Sequence, residues 1–86
     1  MNKKIKILTE NGICYCYYAI VINRKDNILR YGILCKLIES GKISREIIPD
    51  ITTSKDEIDK IIKLIYKNTV TPTILKDVIS DYIGVN

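Results

Sequence analysis

The three cysteines are the side chains with the clearest chemical potential, because thiolates bind metals and exchange disulfides. Cys14 and Cys16 are one residue apart, and Cys35 lies in a later segment. A closed zinc site needs four Cys or His ligands, and the sequence has no histidine. The alternative is that all three are buried, reduced thiols that pack as small hydrophobic side chains. We favour this alternative and predict neither a metal nor a cofactor.

Acid–base or nucleophilic catalysis has little support in this chain. The sequence has no nucleophile elbow, no phosphate-binding glycine loop and no dinucleotide fingerprint. Asp77 and Asp81 lie one helical turn apart and form, with Ser80, a predicted acidic ledge. Asp81 opposes the helix dipole, which suggests either a solvated face or a docking patch for a basic partner. We therefore predict a protein that is not an enzyme and has no catalytic residues.

Length and charge describe a small domain with a weakly basic surface. The 86 residues carry a formal net charge of +4 and predict one domain over 1–86. A basic start and the apolar run 13–22 imitate a signal peptide, but Glu10 and Gly12 interrupt the approach. The run is also too short to span a bilayer. With an odd cysteine count, these features predict a cytoplasmic protein outside the membrane.

Two amphipathic helices are predicted over 54–84. Ser54 and Glu57 match a capping box at the start of the first helix. Its apolar residues recur with a 3.6-residue period at Ile58, Ile61, Ile62 and Ile65. The second helix is predicted to begin at Pro72, capped by Thr71, and to end at Gly84. Its predicted buried residues are Ile74, Leu75, Val78, Ile79, Tyr82 and Ile83.

Four antiparallel strands are predicted over 1–50, and the first hairpin defines which side of the first strand faces the core. Asn11-Gly12 is the residue pair most typical of a two-residue type I′ turn. Such a turn would pair Ile7 with Cys16 and Ile5 with Tyr18. Ile5 and Ile7 would then lie on the core side.

Two further turns complete the predicted sheet. A tight turn at Asp26-Asn27 would pair Tyr18 with Cys35 and keep both core faces on the same side. Ser40-Gly41 would start the fourth strand, which Pro49 would end. The alternation of the fourth strand leaves its register open.

Together these elements predict an α+β fold of two layers: a four-stranded antiparallel meander over 1–50 and a helical hairpin over 54–84 packed on one face, ββββαα. The uncovered sheet face would combine aromatic, aliphatic and basic side chains. We call it the predicted interaction face: Lys4, Lys6, Leu8, Tyr15, Tyr17, Val21, Arg30, Leu34 and Lys36.

Such a face favours a protein partner or a homo-oligomer, with the chain acting as a regulator or inhibitor encoded by a bacterial chromosome or a phage. The alternative is nucleic-acid or nucleotide binding, because tyrosines interleaved with basic residues suit stacking and phosphate contact. Helix–turn–helix DNA binding is disfavoured, since Asp77 and Asp81 on the second helix would repel phosphates.

The second half of the chain also carries a family resemblance. Tyr31-Gly32-Ile33 and the run 64–83, Leu-Ile-Tyr-Lys-Asn-x-Val-Thr-Pro-x-x-Leu-x-Asp-Val-Ile-x-Asp-Tyr-Ile, are the residues that carry it. The sequence resembles a family of small uncharacterised proteins, each a domain of unknown function, from clostridia and related Firmicutes. The resemblance covers most of the chain. It implies a bacterial, cytoplasmic, stand-alone domain and transfers no catalytic residue.

Overall fold

The computed structural model describes residues 3–9 and 13–84, without the side chains of Leu8, Thr9 and Ile13. Four antiparallel strands form one sheet in chain order: β1 (Lys3–Thr9), β2 (Ile13–Lys25), β3 (Ile28–Glu39) and β4 (Lys42–Thr52). Two helices follow, α1 (Lys55–Lys67) and α2 (Leu75–Tyr82). Helix α1 packs against all four strands from one side. The predicted ββββαα architecture is therefore confirmed.

The hydrophobic core lies between the sheet and the helices. Tyr18 and Ile33 from the central strands are fully buried, as are the α1 residues Ile58, Ile61, Ile62 and Ile65 predicted from their spacing. Val70 and Leu75 complete the helical side of the core. Each buried isoleucine or leucine stabilises the fold by roughly 1.5–3 kcal/mol. Packing against the sheet therefore stabilises the helical pair more than any single cap can.

Both predicted turns in the centre of the sheet are present. Asp26 and Asn27 have φ angles of 52° and 63°, and Ser40 and Gly41 have φ angles of 49° and 80°. Positive φ at both central residues is the signature of a type I′ turn, whose twist matches that of the strands. The pairing of Tyr18 with Cys35 is confirmed. The second turn also defines the β4 register, because it pairs Glu39 with Lys42.

The predicted register of β1 is wrong by one residue. Ile7 pairs with Tyr15 and Lys6 with Cys16, and the paired ends Thr9 and Ile13 leave three residues between them. The Asn11-Gly12 turn itself lies outside the described residues. A one-residue shift moves every side chain of a strand to the opposite face. Ile7 therefore lies on the uncovered side of the sheet and Lys6 on the helical side.

Strand β4 continues past Pro49 instead of ending there. Ile33 pairs with Ile48, whereas Tyr31 pairs with Thr52, so three residues of β4 oppose Gly32 alone. Proline has no backbone N–H to donate. It is tolerated at position 49 because a bulged residue of an edge strand does not need to donate a hydrogen bond to the neighbouring strand. The bulge carries the β4 backbone close over Gly32.

The helix ends differ in how well their signals predicted them. Ser54 Oγ accepts the predicted hydrogen bond from Glu57 N at 3.1 Å. Ser54 N donates to Thr52 Oγ1 and not to the Glu57 side chain, so only half of the predicted capping box forms. Helix α2 begins at Leu75 without a side-chain cap. A separate turn precedes it, in which Ile74 N donates to Thr71 O at 3.2 Å. Ile74, Tyr82 and Ile83, predicted to be buried, are exposed.

Candidate interaction surface

The uncovered side of the sheet presents three rows of side chains, one from each strand in each row. We call these twelve residues the open face. The first row is Ile7, Tyr15, Ile38 and Ile43. The second row is Ile5, Tyr17, Lys36 and Arg45. The third row is Lys3, Ala19, Leu34 and Ile47.

The outer strands contribute the most exposed apolar surface of the open face. Ile5 and Ile7 on β1 are 55% and 68% exposed, and Ile43 and Ile47 on β4 are 64% and 49% exposed. The central residues are better packed, with Tyr15 half-buried between its neighbours. Isolated exposed isoleucines are ordinary, but four on one face, joined by tyrosine and leucine, form a continuous apolar patch.

Two cations lie side by side within this patch. Lys36 and Arg45 are direct partners across β3 and β4, between the two apolar rows. Lys36 Nζ lies 5.2 Å from the centroid of the Tyr17 ring, a cation–π distance. Among residues 3–9 and 13–84, neither cation is ion-paired with a carboxylate. Like charges directly opposite each other in a sheet repel, so this pair would be stabilised by an incoming anionic group.

Four residues of the predicted interaction face belong to the open face: Tyr15, Tyr17, Leu34 and Lys36. Val21 and Arg30 lie just beyond its third row, where the β4 bulge approaches. Val21 pairs with Gly32, and Arg30 forms an ion pair with Asp50 of the bulge. Asn23 Nδ2 also donates to the bulge, at 2.8 Å from Pro49 O. These contacts mark the border of the open face.

Lys4 and Lys6 do not lie on the open face, because the corrected register turns them toward the helices. Lys6 Nζ donates to Tyr66 O and to Thr69 Oγ1, both at 3.0 Å. Lys4 Nζ lies 5.5 Å from the Tyr66 ring centroid, and Lys6 Nζ lies 5.0 Å from it. A lysine at the carboxyl end of a helix interacts favourably with the unpaired carbonyls there. The predicted role of Lys6 at an interface is thus replaced by a structural one.

The Leu8 side chain, predicted to lie on the interaction face, is outside the described part of the structure, although the Leu8 backbone pairs with Cys14. Sequence reasoning missed the other eight residues of the open face: Lys3, Ile5, Ile7, Ala19, Ile38, Ile43, Arg45 and Ile47. The alternation of Ile43, Arg45 and Ile47, read outward from the Ser40-Gly41 turn, contained enough information to find the β4 residues. No comparable local signal was present for β1.

The predicted acidic ledge is exposed at all three positions, Asp77, Ser80 and Asp81. It lies on the side of α2 that faces away from the sheet. Near the end of this helix, a groove is lined by Ile51, Thr52, Glu57, Ile61, Tyr82 and Ile83. A hydrogen bond between Glu57 and Tyr82 raises the pKa of the phenol. This arrangement offers a polar contact but no nucleophile.

Cys16 and Cys35 are fully buried, as the sequence predicted, whereas Cys14, predicted to be buried as well, is half-buried. Cys35 Sγ lies 3.4 Å from Val70 O and donates to it. Burial raises the pKa of Cys35 to about 12, so its reactive thiolate is scarce at neutral pH. In the described residues, no group of three His, Cys, Asp or Glu side chains is close enough to hold a metal ion.

No helix in the described ranges is long and apolar enough to cross a membrane.

No curated protein and no solved structure matches the chain. Residues 1–85 match a family model described as "Family of unknown function (DUF6514)". The match covers nearly the whole chain and agrees with the expected family of unknown function, while the expected range among clostridia stays a prediction. The chain therefore belongs to the DUF6514 family of unknown function.

Proposed function

We propose that this protein is a non-catalytic interaction module that binds a protein partner through the open face. It acts in the cytoplasm as a regulator or inhibitor of that partner. The observation that carries the proposal is the continuous apolar surface left uncovered on one side of the sheet. The strand and residue spacings of a sheet give the three rows a projected area of about 400 Å². This area includes the three cations of the open face, and mainly apolar patches of a few hundred Å² on small proteins are often functional.

Several features support a protein partner over a chemical reaction. The open face carries no histidine, cysteine or carboxylate, which leaves lysine and tyrosine as its only groups that could act as an acid, a base or a nucleophile. Isoleucine and tyrosine provide contact area and not reactivity. Aromatic residues and arginine are enriched in protein interfaces, and the open face contains Tyr15, Tyr17 and Arg45.

Single-stranded nucleic acid is the second candidate, favoured by Lys36 and Arg45 beside the tyrosines. Stacking of a base needs a free ring face, and Lys36 Nζ occupies one face of Tyr17. Lys4 and Lys6 contact Tyr66 on the opposite side of the sheet, which reduces the number of phosphate contacts on offer. Both observations favour a protein partner over a nucleic acid.

Site-specific photo-crosslinking in the native host tests the proposal. A photoreactive amino acid at Ile7 or Ile43 should yield a discrete protein adduct. The same residue at Lys63 or Lys76, exposed positions on the helical layer, should not. An equal adduct at Lys63, or none at Ile7 and Ile43, would contradict the proposal.

A matched pair of double variants gives a second test. Ile43→Ser with Ile47→Ser should abolish the adduct formed at Ile7, because it removes the apolar contact of β4. Ile22→Ser with Leu29→Ser changes two aliphatic side chains at similarly exposed strand positions on the other side of the sheet and should leave the adduct intact. Binding of single-stranded oligonucleotides that weakens steeply between low and moderate salt would favour the second candidate instead.

A further inference from the structure

The cation pair of the open face constrains what can cover it. Lys36 and Arg45 are neighbours in the middle row, with Ile38 and Ile43 in the row on one side. On the other side, their row is flanked by Leu34 and Ile47 of the third row. An occupant that covers both apolar rows must also cover the two cations. Covering a cation without an anionic partner is unfavourable, so the occupant needs a carboxylate or phosphate at this point.

The spacing of the rows is within about 1.5 Å of one helical turn. Successive rows are two residues apart along the strands, or about 6.7 Å. One turn of an α-helix rises 5.4 Å, and a helix is about 10 Å wide. A helix laid along β3 and β4 would therefore meet an apolar row, the cation pair and the second apolar row on successive turns. The three rows extend about 20 Å, the length of about 13 helical residues.

We propose that the open face binds an acidic amphipathic helix of a different protein. Its apolar side chains would cover the rows on either side of the cation pair, and its Asp or Glu carboxylates would accept hydrogen bonds from Lys36 Nζ and the Arg45 guanidinium. This inference rests on the proposed function and adds to it the charge, the secondary structure and the position of the partner.

A second copy of this chain fits less well. Two open faces stacked on each other would bury Lys36 and Arg45 from both copies, and the open face contains no carboxylate to pair with them. The acidic ledge of α2 carries Asp77 and Asp81, but docking it onto the open face is a head-to-tail contact. Contacts of that kind produce rings or open filaments and not the two-fold dimer that is commonest among oligomers.

A displayed library of helical peptides of about 14 residues tests the proposal on the full chain. Apolar residues would be spaced about two turns apart, and the position one turn from each, on the same side of the helix, would be Glu, Gln or Lys. We expect Glu peptides to be enriched over Lys peptides on the order of ten-fold. Lys36→Glu with Arg45→Glu should reverse this preference. Lys63→Glu with Lys76→Glu makes the same change in net charge on the helical layer and should leave it unchanged.

The alternative outcomes are distinguishable. Enriched peptides with no charge preference, lost with Ile43→Ser and Ile47→Ser, would overturn the acidic partner but leave the proposed function intact. Enrichment of no peptide at all would overturn the inference. Self-association abolished by Asp77→Asn with Asp81→Asn would identify a second copy as the occupant and overturn it. Oligonucleotide binding lost with Lys36→Glu and Arg45→Glu would overturn both the inference and the protein-binding function.

Discussion

Replacing Gly32 with alanine tests how closely the β4 bulge packs on β3. Gly32 is buried, and three residues of β4, 49–51, pass opposite it. A Cβ built on Gly32 would lie 2.5 Å from Pro49 O and closer still to Ile48 O. Both neighbours are backbone atoms of β4, so they cannot rotate away as the end of a side chain would. The β4 bulge must shift if any side chain is added here.

The expected change in the free energy of unfolding is the sum of one stabilising and two destabilising contributions. Alanine in place of a strand glycine reduces the entropy of the unfolded chain and stabilises by about 0.5–1 kcal/mol. Overpacking costs about 1–3 kcal/mol when side chains can adjust, and backbone contacts leave less room to adjust. Displacing the bulge also weakens the hydrogen bond from Asn23 to Pro49 O, worth about 1 kcal/mol. The net expectation is a loss of about 3 kcal/mol.

Urea unfolding monitored by circular dichroism measures this loss. Gly41→Ala is the matched control, because a Cβ at Gly41 meets nothing within 4 Å and only its φ of +80° opposes the change. A left-handed alanine costs about 1–2 kcal/mol. Gly32→Ala should therefore be clearly the more destabilising of the two. A Gly32→Ala protein within about 0.5 kcal/mol of the wild type would refute the tight bulge.

Three other predictions concern the core and the helix end. Tyr18→Phe should lower the free energy of unfolding by about 1–3 kcal/mol, because the Tyr18 hydroxyl donates to buried Val70 O at 2.9 Å. Lys6→Met should destabilise by about 1 kcal/mol at low salt, since it removes the cation from the end of α1. Stability should fall as pH rises above 9.0, the ordinary pKa of a thiol, because the unfolded chain releases the Cys35 proton before the folded protein does. Between pH 9.0 and the folded pKa of about 12, this linkage amounts to about 4 kcal/mol. Denaturant midpoints of the two variants check the first two predictions. Midpoints of the wild-type protein at pH 8, 9.5 and 10.5 check the third.

Each of these predictions has its own control. Tyr15→Phe changes the same group on the open face and should be nearly neutral. Lys3→Met removes an equal charge from an exposed position, and a loss as large as that of Lys6→Met would argue against helix capping. In Cys35→Ala the decline between pH 9.0 and 10.5 should be shallower. An unchanged slope would show that Cys35 is not the group responsible.

Local chemistry predicted the centre of this molecule well. Asp26-Asn27 and Ser40-Gly41 specify type I′ turns through residues that tolerate positive φ, and each turn defines a register without help from the rest of the chain. The spacing of Ile58, Ile61, Ile62 and Ile65 likewise identified the buried side of α1. The positions of Tyr15, Tyr17, Leu34 and Lys36 on the open face follow from these turns.

The edges of the sheet were harder to predict because their contacts are distant in sequence. Lys6 is bonded to the end of α1, 60 residues further along the chain. Alternation alone therefore favoured Ile5 and Ile7 as the core side of β1. The β4 bulge depends on how its backbone meets Gly32, and the start of α2 depends on the buried loop at Val70.

The sequence by itself determined the fold class, the central hairpins, the buried face of α1 and the scarcity of catalytic groups. These properties depend on spacing within one element or across one tight turn. Only the tertiary structure decided which side of β1 meets the helices, and with it the composition of the open face. A lysine side chain can reach a helix end or extend into solvent, and only the folded structure shows whether a helix end lies within reach of that side chain.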